Sequence, residues 1–259
     1  MVGNILDFRL GGKPVTNAAV AVEAGPSKII KALHEDCSKV VTASCDAKYT
    51  QLNAASYGLA NDLDIWIKVL ANRPELPLFE TASSEFVLAF LNNSQGQYRN
   101  AFKGLRLVLE LVLQGAYLSV NLVILSEWLK SQADTLWQVI LDQDKGVFAV
   151  RYSRAFFPAL TDEVGAVRTL AETLYREMSE CTHGNVPNKI PLPKKIAFDE
   201  QTFTLWHEKV RTLRLIINFT LAVRYLTGLG NEARATAQPM IMDQMGHFEP
   251  VRQMFEGVA

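Results

Sequence analysis

The amino-acid sequence predicts an all-α protein, a helical bundle with a short extended or hairpin arm at its N-terminus. Three observations support this prediction. Apolar residues recur at helical spacing through long segments after residue 26. Gly, Pro, Asn and Ser cluster between these segments, where such residues end helices and form turns. Hydrophobic residues make up 49% of the 259 positions and charged residues 20%, a composition that can form a buried core.

The chain divides into three predicted regions. Residues 1–25 contain two short apolar runs around "GGKP", which is the pattern of a hairpin or an extended arm. Residues 26–230 are predicted to form a helical domain, and residues 231–259 a C-terminal tail with one helix at 241–256. There is no internal repeat and no linker between two domains.

Three helical segments are predicted before residue 120. The first has Ser27 as its N-cap and covers 27–72, as one long helix or two consecutive ones. The second covers 83–93 and the third covers 98–120. The run at 105–125 is the most apolar in the chain, but it contains Arg106, Glu110, Gln114 and Asn121. It is therefore predicted to be a buried helix and not a membrane span.

Four further helices are predicted before the tail, at 122–131, 134–142, 161–183 and 199–226. Thr161 is the predicted N-cap of the third of these, with acidic residues in its first turn. Gly184 suits the position just after its end. A Pro-rich loop follows, and Gly228 stops the last of the four.

Charge, cysteine content and motifs exclude several classes of protein. The formal net charge is −1, from 26 Lys and Arg against 27 Asp and Glu, so any anion site must be a local patch. The three cysteines have irregular spacing and the N-terminus has no signal-peptide pattern, which favours a cytoplasmic protein with reduced thiols. Nucleotide-binding loops, serine-hydrolase elbows and zinc-ligand spacings do not occur. We therefore expect no cofactor and no metal ion.

The stretch "LYREMSECTHG" at 174–184 contains the main candidate site. Arg176 and His183 are seven residues apart, so on a helix their side chains project within about 20° of each other. Glu180 lies four residues after Arg176 and three before His183, within reach of either. This face opposes an apolar stripe predicted to face the core, formed by Val164, Val167, Leu170, Ala171, Leu174, Met178 and Cys181. A solvated helix end is the other interpretation, because a His in the last turn before a Gly is common.

This stretch resembles the signature of the HEPN superfamily, helical-bundle proteins that include many metal-independent ribonucleases. In that signature four to six residues separate an arginine from a histidine, and here six separate Arg176 from His183. The segments 96–118 and 198–225 also resemble helices of bacterial HEPN-like proteins, so the resemblance covers about 96–227. The chain departs from the active members at Glu177, where Asn, Asp or His often follows the arginine.

The resemblance implies RNA cleavage through the RNA's own 2′-hydroxyl, without a metal ion. His183 would transfer protons, because histidine titrates near neutral pH. Arg176 would hold two phosphoryl oxygens with its planar fork. Glu180 would orient either residue. The resemblance also implies a homodimer, in which two copies of the motif line one cleft.

Two more groups of polar residues carry two interpretations each. Arg106 and Glu110 either form a partly buried ion pair that fixes helix register, or face the Arg176 surface and orient its arginine. A basic group could hold the phosphates of bound RNA, or could be an ordinary solvated face. Its members are Lys194, Lys195, Arg211 and Arg214, with His207 on the same helix face.

Three functions remain open from the sequence. The first is a metal-independent endoribonuclease, the effector of a bacterial toxin or antiphage system. The second is a catalytically silent HEPN-like scaffold or adaptor subunit, with a protein partner in a defence or toxin–antitoxin system. The third is a binding module for a small ligand or nucleotide, with its pocket on the polar line of the 98–120 helix. No membrane partner is expected for any of them.

Overall fold

The computed structural model describes residues 25–134, 137–183 and 192–256. This part of the chain forms an all-α bundle of eleven α-helices without a strand, which confirms the predicted fold class. The arm predicted at 1–25 falls, apart from Gly25, outside the described residues. None of the described helices combines the length and apolar character that a bilayer crossing requires.

In chain order the helices are α1 (Pro26–Ser44), α2 (Thr50–Val69), α3 (Leu76–Ser94), α4 (Tyr98–Leu118), α5 (Leu122–Leu129), α6 (Trp137–Ile140), α7 (Val150–Phe156), α8 (Val164–His183), α9 (Glu200–Tyr225), α10 (Asn231–Met245) and α11 (Glu249–Glu256). Short 3-10 helices occur at Ala47–Tyr49, Pro158–Glu163 and Leu226–Gly228.

Helix α9 is the central element of the bundle. It packs against α2, α4, α8 and α10, and its buried side chains point in nearly every direction around the helix axis. Trp206, Leu213 and Ile217 are fully buried. Asp199 caps its N-terminus by accepting a 2.8 Å hydrogen bond from the backbone N–H of Thr202.

Helices α3 and α4 form a tightly packed antiparallel pair. A Cβ atom on Gly104 would lie 2.6 Å from the Cβ of Ala89, and one on Gly115 would lie 2.5 Å from the Phe79 ring. The two glycines therefore allow the backbones to approach closely. Gly96, in the connection between the helices, has a φ of +75°, a conformation that favours glycine.

Helix α8 lies antiparallel to α4 and carries the stripe predicted to face the core. Six of its seven predicted members are buried: Val164, Val167, Ala171, Leu174, Met178 and Cys181. The seventh, Leu170, is 38% exposed, so its prediction was wrong. It lies at the edge of the stripe and lines a groove with Arg211 and His247.

Three predicted helix starts were wrong. Ser27 does not cap α1, because the helix already begins at Pro26, and proline is favoured in the first turn. Thr161 lies inside the 3-10 helix before α8, where its hydroxyl accepts a hydrogen bond from Ser153. Helix α3 also begins earlier than the predicted residue 83, with Pro77 in its first turn.

The C-terminal region contains two helices, where the sequence predicted one. Helix α10 was missed because Pro239 interrupts the segment and its apolar residues show little periodicity. Ala237, Ile241 and Met245 of α10 and Val251 of α11 belong to the same core as the other helices. Residues 231–256 are therefore part of the bundle.

Candidate functional site

Arg176 lies on the outer face of α8. Its side chain is exposed, and Leu174 and Met178 on the opposite side of the helix are buried. Glu180, one turn further along, is half-buried. His183 is the last residue of α8, but its side chain is outside the described residues. The predicted pairing of His183 with Arg176 therefore remains a prediction.

Glu177 contacts a neighbouring helix and not Arg176. Its carboxylate forms a 2.7 Å ion pair with the Lys209 ammonium of α9. The two side chains are 26% and 20% exposed, so the pair is partly shielded from solvent. Glu177 thus joins α8 to α9.

Arg99 is a cation near this site that the sequence reasoning did not single out. It belongs to the first turn of α4, and its Nη1 donates a hydrogen bond to the backbone carbonyl of Cys181. A cation at a helix C-terminus is favourable because the last carbonyls carry partial negative charge. The signal in the sequence was an arginine near the start of the predicted 98–120 helix.

Arg106 and Glu110 form the predicted ion pair. The Nε and Nη2 atoms of Arg106 donate to Glu110 Oε1 at 3.1 and 3.0 Å. Nη2 also donates to the Tyr175 hydroxyl at 2.7 Å, so the pair contacts α8 through Tyr175. That it orients Arg176 stays a prediction. It reaches Tyr175, the residue before Arg176, and Trp137 stacks on the same ring with 3.9 Å between centroids.

The pKa of Tyr175 is raised above its ordinary value. Burial is the main cause, and the nearby Glu110 carboxylate adds to it. The phenol therefore stays protonated to higher pH than that of a free tyrosine, and its hydroxyl can hold its place between the two helices. This cluster sets the position of α8 against α4.

The structure does not bring the four predicted RNA-binding residues onto one surface. Lys194 and Lys195 are exposed in the segment before α9, and Arg211 is exposed on α9. Arg214 instead points inward, and its side chain is 17% exposed. His207, placed on the same helix face by the sequence, is only 2% exposed.

Arg214 is the centre of an internal polar network. Its Nε and Nη2 donate to the two carboxylate oxygens of Asp62 at 2.6 and 2.8 Å. Asn218 donates to the same carboxylate at 2.7 Å and accepts from the indole N–H of Trp66 at 2.9 Å. The network joins α2 to α9, and Asp243 of α10 lies 3.6 Å from Arg214.

A second buried network has the residue types of a hydrolase site. The hydroxyl of Ser56 lies 2.6 Å from His207 Nδ1, and the amide of Asn93 lies 3.3 Å from Nε2. All three residues are at most 4% exposed, so a substrate cannot reach them. Burial lowers the pKa of His207 to about 4, which keeps the ring neutral. The arrangement is a satisfied core histidine.

No candidate metal centre is present in the described part of the chain, because no three His, Cys, Asp or Glu side chains cluster in a suitable way. Comparison of the chain with family models, with curated proteins and with solved structures found no match.

Proposed function

We propose that the protein is a HEPN-like, metal-independent endoribonuclease. The observation that carries the proposal is the exposed guanidinium of Arg176, on the face of α8 opposite the core. A side chain in this position adds nothing to the core but is open to a ligand. Arg99, bound to the carbonyl of Cys181, supplies a second cation to the same end of α8.

In the proposed reaction the 2′-oxygen of a ribose attacks the adjacent phosphorus, and the bond to the 5′-oxygen breaks. His183 takes the 2′-hydroxyl proton and gives a proton to the 5′-oxygen as that oxygen leaves. Arg176 holds the phosphoryl oxygens while negative charge builds on them. Glu180 orients these residues, and the Arg106–Glu110 pair fixes the helix through Tyr175. The products are a 2′,3′-cyclic phosphate and a 5′-hydroxyl.

A homodimer fits this proposal. The reaction has two proton transfers, and a symmetric contact between two copies of α8 would place two copies of His183 at one cleft. Lys194, Lys195 and Arg211 are exposed cations that could guide the RNA backbone to the cleft. Arg214 is not included in this role, since Asp62 holds it. The enzyme would act as an effector of a bacterial toxin or antiphage system.

Incubation of the purified chain with labelled RNA in EDTA tests the proposal. Wild type should cleave, and Arg176→Ala and His183→Ala should not. Arg176→Lys should also fail, because an ammonium cannot bind two oxygens as a planar fork does. Thr173→Ala, one turn earlier on α8, is the matched control and should cleave normally. Intact RNA after prolonged incubation with wild type would reject the ribonuclease.

A second candidate is a catalytically silent HEPN-like scaffold or adaptor. The observation that favours it is a group of exposed apolar side chains on α3, where Val87, Leu88 and Leu91 are 44%, 52% and 47% exposed. Adjacent apolar side chains on an outer helix face are typical of protein interfaces. Glu177 also stands where active members often have Asn, Asp or His, and its carboxylate is bound to Lys209.

The two candidates are separated by purification from the native host without added RNA. A scaffold should co-purify with a defined partner in fixed stoichiometry and leave RNA intact. Leu88→Glu should then release the partner, and Glu80→Gln on the same exposed face should retain it. Retention of the partner by Leu88→Glu would count against this surface.

A further inference from the structure

A cavity of about 300 Å³ opens beyond the C-terminal end of α4. Its lining residues come from α4, the turn before α7, and α7 itself. Those that matter chemically are Tyr117, Asn121, Lys145, Arg151, Tyr152 and Phe156. The volume is at the small end of the range for sites that bind small molecules.

Two cations border this cavity, and no acidic side chain lines it. Lys145 follows a turn in which Asp142 Oδ1 accepts the backbone N–H groups of Asp144 and Lys145 at 3.0 and 2.8 Å. Arg151 lies in the first turn of α7. Both side chains are exposed, and neither forms an ion pair with another described residue. Their combined charge of about +2 is equal in size and opposite in sign to that of a phosphate monoester dianion.

The aromatic wall of the cavity is rigid. The Tyr152 hydroxyl donates to the Ala116 carbonyl at 2.9 Å, and its ring meets Phe156 edge to face at 5.0 Å. The Arg224 guanidinium packs on the Phe156 ring at 4.4 Å and is held by the Ser119 hydroxyl at 2.7 Å. Tyr152 is buried and holds Phe156 in place, and the partly exposed Phe156 ring can contact a flat, apolar ligand face at little entropic cost.

Asn121 supplies polar recognition beside this wall. Its Nδ2 donates to the Tyr117 carbonyl at 2.8 Å, which fixes the amide. The amide oxygen makes no hydrogen bond to a described residue, so it can accept one from a ligand. An amide of this kind can pair with the edge of a nucleobase.

We infer that this cavity is a binding site for a ribonucleoside 5′-monophosphate. Lys145 and Arg151 hold the phosphate, the ring system lies against Phe156, and Asn121 contacts the edge of the base. The combination of two unpaired cations with an aromatic wall carries the inference, because a site for phosphate alone needs no such wall.

The site is separate from the proposed ribonuclease centre. Arg99 and Tyr117 lie near opposite ends of α4, about 27 Å apart along the helix axis. Arg176→Ala should therefore leave nucleotide binding unchanged. Because the inference does not depend on RNA cleavage, failure of one proposal leaves the other standing.

Isothermal titration of the full chain with each of the four ribonucleoside 5′-monophosphates tests the inference. At least one should bind with one-to-one stoichiometry. Arg151→Gln and Lys145→Gln should each weaken that binding by roughly tenfold or more, because each removes a charge-assisted contact. Inorganic phosphate and the corresponding nucleoside should each bind at least about tenfold more weakly than the nucleotide.

Arg154→Gln is the matched control. Arg154 is an exposed arginine of the same helix that does not line this cavity and lines the neighbouring groove with Arg151 and Asp144. This variant should change the affinity less than about twofold. An equal loss in Arg154→Gln would indicate general charge attraction and overturn the site. Binding of inorganic phosphate as tight as that of the nucleotide, or no heat signal at millimolar nucleotide, would also overturn it.

Discussion

Arg214 and Arg176 show how differently two arginines on long helices can be used. Arg214 sits on α9 with both ends of its fork bound to Asp62, inside a network that includes Asn218. Arg176 sits on α8 with its side chain exposed. The first arginine has its partners inside the chain, and the second lies exposed to solvent.

The comparison shows that the partner, and not the helix position, decides what a polar residue does. The sequence grouped Arg214 with Arg211 as a basic surface, because residues three positions apart lie on the same face of a helix. Arg214 differs from Arg211 because it binds the carboxylate of Asp62, which lies 152 residues before Arg214 in the chain. Four predictions test this difference, from the largest expected effect to the smallest.

Arg214→Ala should lower the free energy of unfolding by about 3–5 kcal/mol, because it leaves the buried Asp62 carboxylate without its cation. Arg211→Ala, one turn earlier and exposed, should change it by less than about 0.5 kcal/mol. Chemical denaturation of both variants gives the two values. Equal effects would remove the distinction between an internal and an external arginine on α9.

Met178→Ala should lower the free energy of unfolding by about 2–5 kcal/mol, because Met178 is fully buried and its removal leaves a cavity between α8 and the core. Leu174→Ala should have a similar effect. Thr173→Ala, on the half-buried side of α8, is the control and should cost much less. A melt in which Met178→Ala is as stable as wild type would mean that the helix is rotated.

Acidification should destabilise the protein through His207. Its pKa is about 4 in the folded protein and about 6.5 in the unfolded chain, so between these values the unfolded chain binds more protons. The contribution of neutral His207 is fully present above about pH 6.5 and is lost as the pH falls towards 4. The loss should reach about 3 kcal/mol.

The measurement for His207 is the difference in unfolding free energy between wild type and His207→Gln at several pH values. This difference cancels the titration of the other groups and should shrink as the pH falls. A difference that stays constant from pH 7 to pH 4 would show that the buried ring does not carry the effect.

Arg176→Ala should have the smallest effect on stability, less than about 0.5 kcal/mol, because the side chain is exposed. The same variant should abolish RNA cleavage if the ribonuclease proposal is correct. The two measurements together complete the contrast with Arg214, whose loss should damage the fold first. A large drop in melting temperature would instead show that the Arg176 side chain stabilises the fold.

The sequence predicted those parts of the fold that rest on local patterns. The stripe of Leu174 and Met178 follows from helical spacing, and the Arg106–Glu110 pair follows from its four-residue separation. The inward direction of Arg214 and His207 could not be predicted, because their partners lie on α2 and α3. Helix α10 was missed because Pro239 concealed its pattern.

The sequence predicted only those features of the candidate site that depend on a single helix. The exposure of Arg176 follows from its place opposite the apolar stripe. The proximity of Arg99 depends on how α4 packs against α8, and no spacing along the chain encodes it. For the same reason, the cavity next to α7 could not be found from the polar line of α4 alone.

The central position of α9 affects how the protein is made. Helices α2, α3 and α4 leave the ribosome long before α9, yet α9 covers their inward faces. At about 5–20 residues per second, synthesis separates the end of α2 from the end of α9 by on the order of ten seconds. During that interval the nascent chain exposes the surfaces that later form its core, and exposed apolar surface of this kind is where aggregation competes with folding.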